Sequence, residues 1–311
     1  MKKWILKAIV QKTISFLPFK HQINFLFQKY VTKGVYLSDE YFEDRLIHAA
    51  NHLKGSKKLS GNTVPDKTLE LGTGWYPVVP IVFYLCGSNE IHSIDIASLT
   101  NKERLITTLN KFDLYLSSAE KKQLFKEIPI NNERLSKFNM LIKNVESFTQ
   151  SEIVNQLNLN LAITDARNTN YHSYYFDLVH SNNTFEHVYP NVLKQILTEF
   201  ARVTRKNGGV MSHFIDMSDH FAHFDKSITI YNFLQFSQSQ WKWIDNRIQP
   251  LNRLRMPDYL KMYRELNIPV SDVDNRPGNV GEVESIKIDE SFKKYSNNDL
   301  AISHSYIFSL L

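Results

Sequence analysis

The chain has 311 residues, 42% hydrophobic and 22% charged, an ordinary globular composition with enough apolar material for a full core. Its single cysteine, Cys86, excludes an internal disulfide or a cysteine metal centre, and its apolar surroundings read as a small buried side chain. Of the 37 basic residues, seven (Lys2, Lys3, Lys7, Lys12, Lys20, Lys29 and Lys33) precede Asp39 with no acid among them, so the net charge of +5 belongs to an arm. The remaining 30 basic residues face 32 acidic ones, which excludes a broad nucleic-acid-binding surface.

In the arm, Ile5, Leu6, Ile9, Val10, Phe16 and Leu17 are placed on one helical face, with Lys3, Lys7 and Gln11 opposite and Trp4 suited to an interface. No uncharged span reaches the ~20 residues that cross a bilayer, and Lys7 breaks the candidate signal-peptide core, so a cytoplasmic location is expected. Two readings of the helix stay open: it lies on an anionic membrane at the inner face, or it packs over the core as a lid. The second is favoured because amphipathic helices mostly face a core. Tyr41 to Leu53 has helical spacing, and Gly55 to Asp66 is polar, with two glycines and a proline, as in an exposed connection. Residues 1–66 are therefore expected to form a basic helical arm or cap, and residues 67–311 the main domain.

Thr68-Leu69-Glu70-Leu71-Gly72-Thr73-Gly74 is a short apolar strand running into Gly-x-Gly, and Ser93-Ile94-Asp95-Ile96 ends the next apolar run in an acid. Glycines in such a turn let the backbone approach a ligand, and a carboxylate closing the second strand can accept hydrogen bonds from both ribose hydroxyls. The third glycine of a dinucleotide fingerprint is absent, since Trp75, Tyr76 and Pro77 follow, and there is no Gly-Lys-Ser/Thr of a P-loop. A bulky turn beside Glu70 suits a cationic nucleoside without phosphates, S-adenosylmethionine. These residues resemble the first motif of class I (Rossmann-like) methyltransferases, Glu-x-Gly-x-Gly-x-Gly, with Tyr76 standing at the third glycine.

The resemblance extends along the chain. Leu161 to Arg167 is an apolar strand ending in Asp165-Ala166, where such enzymes hold the adenine amino group. Tyr175 to Asn182 matches the family's fourth strand, Phe185-Glu186-His187-Val188 follows as in many members, Val192 to Arg205 reads as a helix, and Val210 to Ile215 as a fifth strand. Ala301 to Leu311 alternates like the antiparallel last strand of this superfamily. The expected fold is thus α/β: a Rossmann-like, seven-stranded, mostly parallel sheet with an antiparallel last strand, plus N-terminal helices and a helical insertion over about 118–158. The resemblance assigns Glu70, Gly72, Thr73, Gly74, Asp95, Ile96, Asp165, Ala166, Ser181 and Asn182 to the cofactor.

A lid or acceptor region is expected over about 217–256. His213, Asp216 and His220, at and after the fifth strand, and His187 after the fourth, are candidate bases for deprotonating a hydroxyl acceptor. His213, Asp216, Asp219, His220 and His223 are too close in sequence to match a metal-ligand spacing, so no metal is expected. Tyr231 to Trp243 is rich in aromatics, and Asn246 to Arg255 supplies polar donors; Trp241, Asn252, Arg253 and Arg255 are candidate sugar contacts, against the alternative that the aromatics simply pack. Asn252-Arg253-Leu254-Arg255, Gln28 to Thr32 and Asp289 to Phe292 resemble methyltransferases of bacterial surface-polysaccharide clusters, which implies O-methylation of a sugar or glycan. A methyltransferase of a small metabolite or tRNA, and a non-catalytic scaffold of the same fold, are the competing readings.

Overall fold

In the computed structural model, residues 2–18, 23 and 36–311 are described; the motif Gln28 to Thr32 and the lysines at 20, 29 and 33 lie outside them. Seven strands form one sheet: β1 (Lys67–Leu71), β2 (Glu90–Asp95), β3 (Leu159–Ile163), β4 (Leu178–Asn182), β5 (Val210–Asp216), β6 (Asp272–Arg276) and β7 (His304–Leu310), in the order β3-β2-β1-β4-β5-β7-β6. The first five run parallel, while β7 is inserted antiparallel between β5 and β6. The strand order reverses between β1 and β4, so the carboxyl ends of these strands frame the crevice where open α/β sheets bind ligands.

The central strands β4 and β5 are buried along their whole length, as a sheet covered on both faces demands. One face carries α2 (Asp39–Ser60), α3 (Val78–Cys86) and the inserted helices α4 (Lys102–Ser117), α5 (Asn132–Lys143) and α6 (Gln150–Gln156), which share a core of Phe42, Phe83, Phe112, Phe138 and Ile153. The other face is covered by α7 (Pro190–Val203) and α9 (Met256–Glu265), through Leu193, Leu197, Phe200, Tyr259 and Tyr263. A third cluster joins α1 (Lys3–Ile14) and α8 (Gln238–Ile244) to the segments around Phe221, Tyr231 and Leu300. Beyond α9 lie α10 (Val280–Glu284) and α11 (Asn297–Ala301).

Three expectations are corrected. The connection expected from Gly55 onward is instead helix: α2 is capped by Ser38 and continues to Ser60, closing on Gly61 in the left-handed region at φ 79°. Gly55 lies inside that helix because an added Cβ would stand 2.1 Å from the Phe308 ring of β7. In α1 the buried residues are Trp4, Ala8, Gln11 and Ile14, so the inward face is rotated from the one read in the sequence, and Leu6, Ile9, Phe16 and Leu17 are exposed. The sheet also has an unexpected edge: β6 is Asp-Val-Asp-Asn-Arg, half-buried to exposed, with β7 as its strand neighbour.

The packing of Phe308 on Gly55 yields a test. Gly55→Ala should lower the melting temperature, with overpacking of about 1–3 kcal/mol outweighing the better helix propensity of alanine. A thermal scan showing a more stable variant would contradict this helix–sheet contact.

Candidate active site

At the end of β1 the chain turns through Gly72 and Gly74, with φ of 90° and 64°. Both values lie where a side chain is strained, and a Cβ on Gly72 would also come within 2.5 Å of Thr184 Oγ1 in the loop after β4. The Asp95 carboxylate, at the end of β2, accepts from the Gly74 and Ala97 amides at 3.2 Å each, which ties the two strand ends together. Burial raises its pKa above the ordinary value against these hydrogen bonds. Glu70 is buried and accepts from Ser93 Oγ at 2.7 Å; burial pushes its pKa up to about 7, with the Ser93 hydrogen bond and the Arg45 charge opposing. Ser93 Oγ also meets Thr73 Oγ1 at 2.7 Å. Ile96, next to Asp95, is 79% exposed and offers an apolar surface beside this turn.

The other cofactor candidates are placed differently. Asp165 is exposed and held by the Arg167 guanidinium at 2.5 Å, so that carboxylate reaches another partner only by leaving Arg167; Ala166 next to it is buried. Ser181 bonds to His213 Nδ1 at 2.8 Å, and Asn182 Oδ1 meets His52 Nε2 at 2.9 Å. The Ser181 hydroxyl is thus engaged within the sheet, whereas the Asn182 amide nitrogen is buried without a partner.

The candidate bases separate in the same way. His213 has no exposure, stacks on Phe185 with 4.3 Å between ring centroids, and has Phe200 at 5.9 Å. Burial holds its pKa well below the ordinary value, and with no path to an acceptor it is a core residue, which corrects its expected role. Asp216, at the end of β5, lies 3.3 Å from His220 Nε2, 3.3 Å from His304 Nε2 and 4.0 Å from His223 Nε2. Burial disfavours its charge, but His220 and His304 outweigh burial and keep it ionised well below the usual range. Burial likewise opposes the His220 imidazolium, yet Asp216, Glu186 and Asp219 raise its pKa overall.

His187 projects beside His220, with ring centroids 4.9 Å apart, and its Nδ1 donates to the Pro250 carbonyl at 2.7 Å. Burial and the neighbouring His220 push its pKa down to about 4. Glu186 was not singled out from the sequence as a site residue. Its carboxylate is 1% exposed, and neither oxygen has a partner in hydrogen-bonding geometry. Burial and the Asp216 charge push its pKa up to about 8, although backbone groups of Glu186 and Asp216 lean toward it. The available signal was its position: an acid directly beside a histidine just past the end of a buried strand.

Arg45 is another missed member. It projects from α2 over the Tyr41 ring at 4.9 Å, close enough for Glu70 and Glu186 to act on its charge. It places a cation between the β1 turn and the histidine cluster.

Three of the four acceptor candidates are corrected, while the fourth, Trp241, lines a cleft that opens on His220. Trp241 is buried and donates to the Leu251 carbonyl; Asn252 Nδ2 donates to the Phe185 and Val188 carbonyls. Arg253, 5% exposed, donates to the carbonyls of Phe233 and Phe236 and lies over Trp241. Arg255 is fully buried, and its guanidinium donates to the carbonyls of Met217, Leu300 and Ile302 at 2.6, 2.7 and 2.5 Å. These side chains donate to backbone carbonyls in turns, 3-10 segments and a helix end, where regular hydrogen bonding is incomplete. Burial lowers the pKa of both arginines to about 10.

Next to these, this narrow cleft of about 20 Å³ opens on His220, lined by Lys7 and Gln11 of α1, Trp241, Asp245, Asn246 and Gln249. The N-terminal helix thus forms a wall of this cleft. It is fastened by the Trp4 amide to Asp225 at 3.0 Å and by Lys12 Nζ to the Lys242 and Asp245 carbonyls at 2.8 and 2.6 Å. Among the described residues, no helix is long and apolar enough to cross a membrane.

Residues 137–212 match a family model described as a methyltransferase domain. No curated protein matches the chain by sequence. Similar solved structures include 1,6-didemethyltoxoflavin-N1-methyltransferase of Burkholderia thailandensis, with its acceptor and S-adenosylhomocysteine bound (11% identity, 92% of this chain and 84% of that chain, TM-score 0.46). Another is phosphoethanolamine N-methyltransferase 2 of Haemonchus contortus in complex with phosphomonomethylethanolamine and S-adenosylhomocysteine (12% identity, 84% and 52%, TM-score 0.44). The strand order and the glycine turn are those of a Rossmann-like fold, and residues 137–212 within it carry the methyltransferase-domain match. The protein is an enzyme that takes its methyl group from S-adenosylmethionine.

The reassignment of the arginines can be checked directly. Arg255→Met should lower stability by about 3 kcal/mol or more, because buried carbonyls lose a charged donor. It should leave the KM for acceptor unchanged in the protein that remains folded. A variant with wild-type melting temperature and raised KM would restore Arg255 to the acceptor site.

Proposed function

We propose that the protein methylates a hydroxyl oxygen of a sugar or glycan acceptor bound in the cleft beside His220. The observation that carries this reading is the Asp216–His220 pair, an anion holding a part-exposed imidazole at the carboxyl end of β5. Glu70, Gly72, Thr73, Gly74, Asp95 and Ile96 are assigned to the methionine and ribose side of the cofactor, and Asp165 with Ala166 to its adenine. The sulfonium supplies an activated methyl group when bound. The chain's own contribution is to align the acceptor oxygen and remove its proton. Of the expected bases, His220 combines a fixed orientation, exposure to the cleft and a charged partner, while His187 contributes a neighbouring imidazole. Asn246, Gln249 and Asp245 along the cleft offer hydrogen-bonding groups of the kind hydroxylated acceptors require.

Calorimetric titration with S-adenosylmethionine and S-adenosylhomocysteine tests the cofactor half. Micromolar binding is expected in the wild type, with a loss of tenfold or more in Asp95→Ala. Undiminished binding in that variant would remove Asp95 from the cofactor site. Methyl transfer to nucleotide sugars or glycans, compared with amine acceptors, then tests the acceptor class; transfer to amines alone would overturn the hydroxyl reading.

We further infer that α1, besides walling the cleft, rests on an anionic membrane. Leu6 and Ile9 of α1, and Phe16 and Leu17 in the turn that follows it, are 53, 52, 70 and 44% exposed, with Lys2 and Lys3 also exposed. The protein should co-sediment with phosphatidylglycerol vesicles and not with phosphatidylcholine vesicles, and Leu6→Glu with Ile9→Glu should abolish this. Failure of the wild type to sediment would reduce the helix to a lid.

A further inference from the structure

We propose that Glu186, His187 and His220 form a binding site for one divalent transition-metal ion, which takes the acceptor hydroxyl as a further ligand. This rests on the hydroxyl-acceptor reading above for the ion's role, but not for its binding. One ligand atom from each of the three residues lies within 4.8 Å of the other two. That is slightly more than two metal–ligand bonds of about 2.1 Å laid end to end, so a small side-chain rotation closes the set. His220, with 22% of its side chain exposed, has room to make it.

Three independent features point to a ligand. The Glu186 carboxylate is a strong acceptor with 1% exposure and no hydrogen-bond partner, a costly arrangement that a cation would relieve. His187 donates Nδ1–H to the Pro250 carbonyl, which fixes the tautomer and leaves Nε2 with its lone pair, the orientation that outer partners impose on metal-ligating histidines. Asp216 stands behind His220 in the same supporting position. The set joins the loop after β4 to the loop after β5, so it escaped a search for ligands spaced within one segment.

Two imidazoles and one carboxylate select a zinc-like or cobalt-like ion over Ca²⁺ or Mg²⁺, which favour oxygen ligands. Three protein ligands leave a position open, as catalytic sites do. A hydroxyl bound there becomes more acidic: its O–H bond breaks, the proton passes to solvent, and the oxygen's electron pair attacks the methyl carbon as the carbon–sulfur bond breaks. With the ion in place His220 serves as a ligand, and the metal replaces it in activating the oxygen.

The test uses tag-free, full-length protein freed of metal by chelator and dialysis, titrated separately with Co²⁺, Zn²⁺ and Mg²⁺. One equivalent of Co²⁺ should bind with visible d–d absorption and be displaced by Zn²⁺, while Mg²⁺ should not compete at equal concentration. Glu186→Gln and His220→Ala should each weaken Co²⁺ binding at least tenfold. S-adenosylhomocysteine binding, measured on every variant, should stay near wild type and certifies an intact fold and methyl-donor site. Folded wild type that binds S-adenosylhomocysteine but no Co²⁺ or Zn²⁺ would overturn the proposal while leaving the methyltransferase assignment standing. Metal binding that survives both substitutions would also overturn it, as adventitious capture by other histidines.

Discussion

A single buried negative charge governs the chemistry at the carboxyl end of the sheet. Asp216 closes β5 in a place where a lone carboxylate would neutralise itself, and it stays ionised because His220 and His304 sit 3.3 Å away on either side. His304 begins β7, so the same carboxylate couples the inserted antiparallel strand to the loop that carries His220. The charge acts beyond its partners as well, since after burial it is the next cause raising the pKa of the neighbouring Glu186. Strand insertion, loop placement and the ionisation of the acidic pair therefore depend on one another.

A second constraint concerns the irregular chain between β5 and α9. Segments without ladder or helix bonds must still satisfy their carbonyls when buried. Arg253 and Arg255 do this from the inside, the latter drawing together residues 217, 300 and 302, which come from opposite ends of the C-terminal half. Such guanidinium clamps keep the cleft wall in place while exposing none of their charge to it. The polar side chains that line the cleft are instead smaller ones such as Asn246 and Gln249.

How much of this was readable in the residues follows from what each signal measures. Short apolar-rich runs, broken by single polar residues such as Glu70, Ser93 and His180, located β1, β2, β4 and β5. The strand β6 gave no such signal, since an edge strand made of Asp, Val, Asp, Asn and Arg owes its place to pairing with β7. The meeting of Asp95 with the glycine turn was legible because it joins the ends of two adjacent strands. The roles of Arg253, Arg255 and Asn252 were misread because a donor-rich sequence looks the same whether it faces a sugar or the protein's own carbonyls. His213 and His220 are alike in sequence, and only the stacking of Phe185 on the former separates core from site. Glu186 matters through its lack of partners, a property that exists only in three dimensions.

The attachment of α1 also shapes how the molecule assembles. Its fastenings join residues 221 and 233 positions apart, Trp4 to Asp225 and Lys12 to Asp245. During synthesis this helix leaves the ribosome well before the residues that hold it, and its seat is not made until the segment around Asp225 to Asp245 has followed. For that interval the side chains of Trp4, Ala8 and Ile14 lack their final covering, and a chaperone or a lipid surface is the natural place for them to wait. The closing of this long loop then becomes a late step, after the parallel strands have paired, so a protein tagged or truncated at its start can complete the sheet and still lack one wall of its cleft.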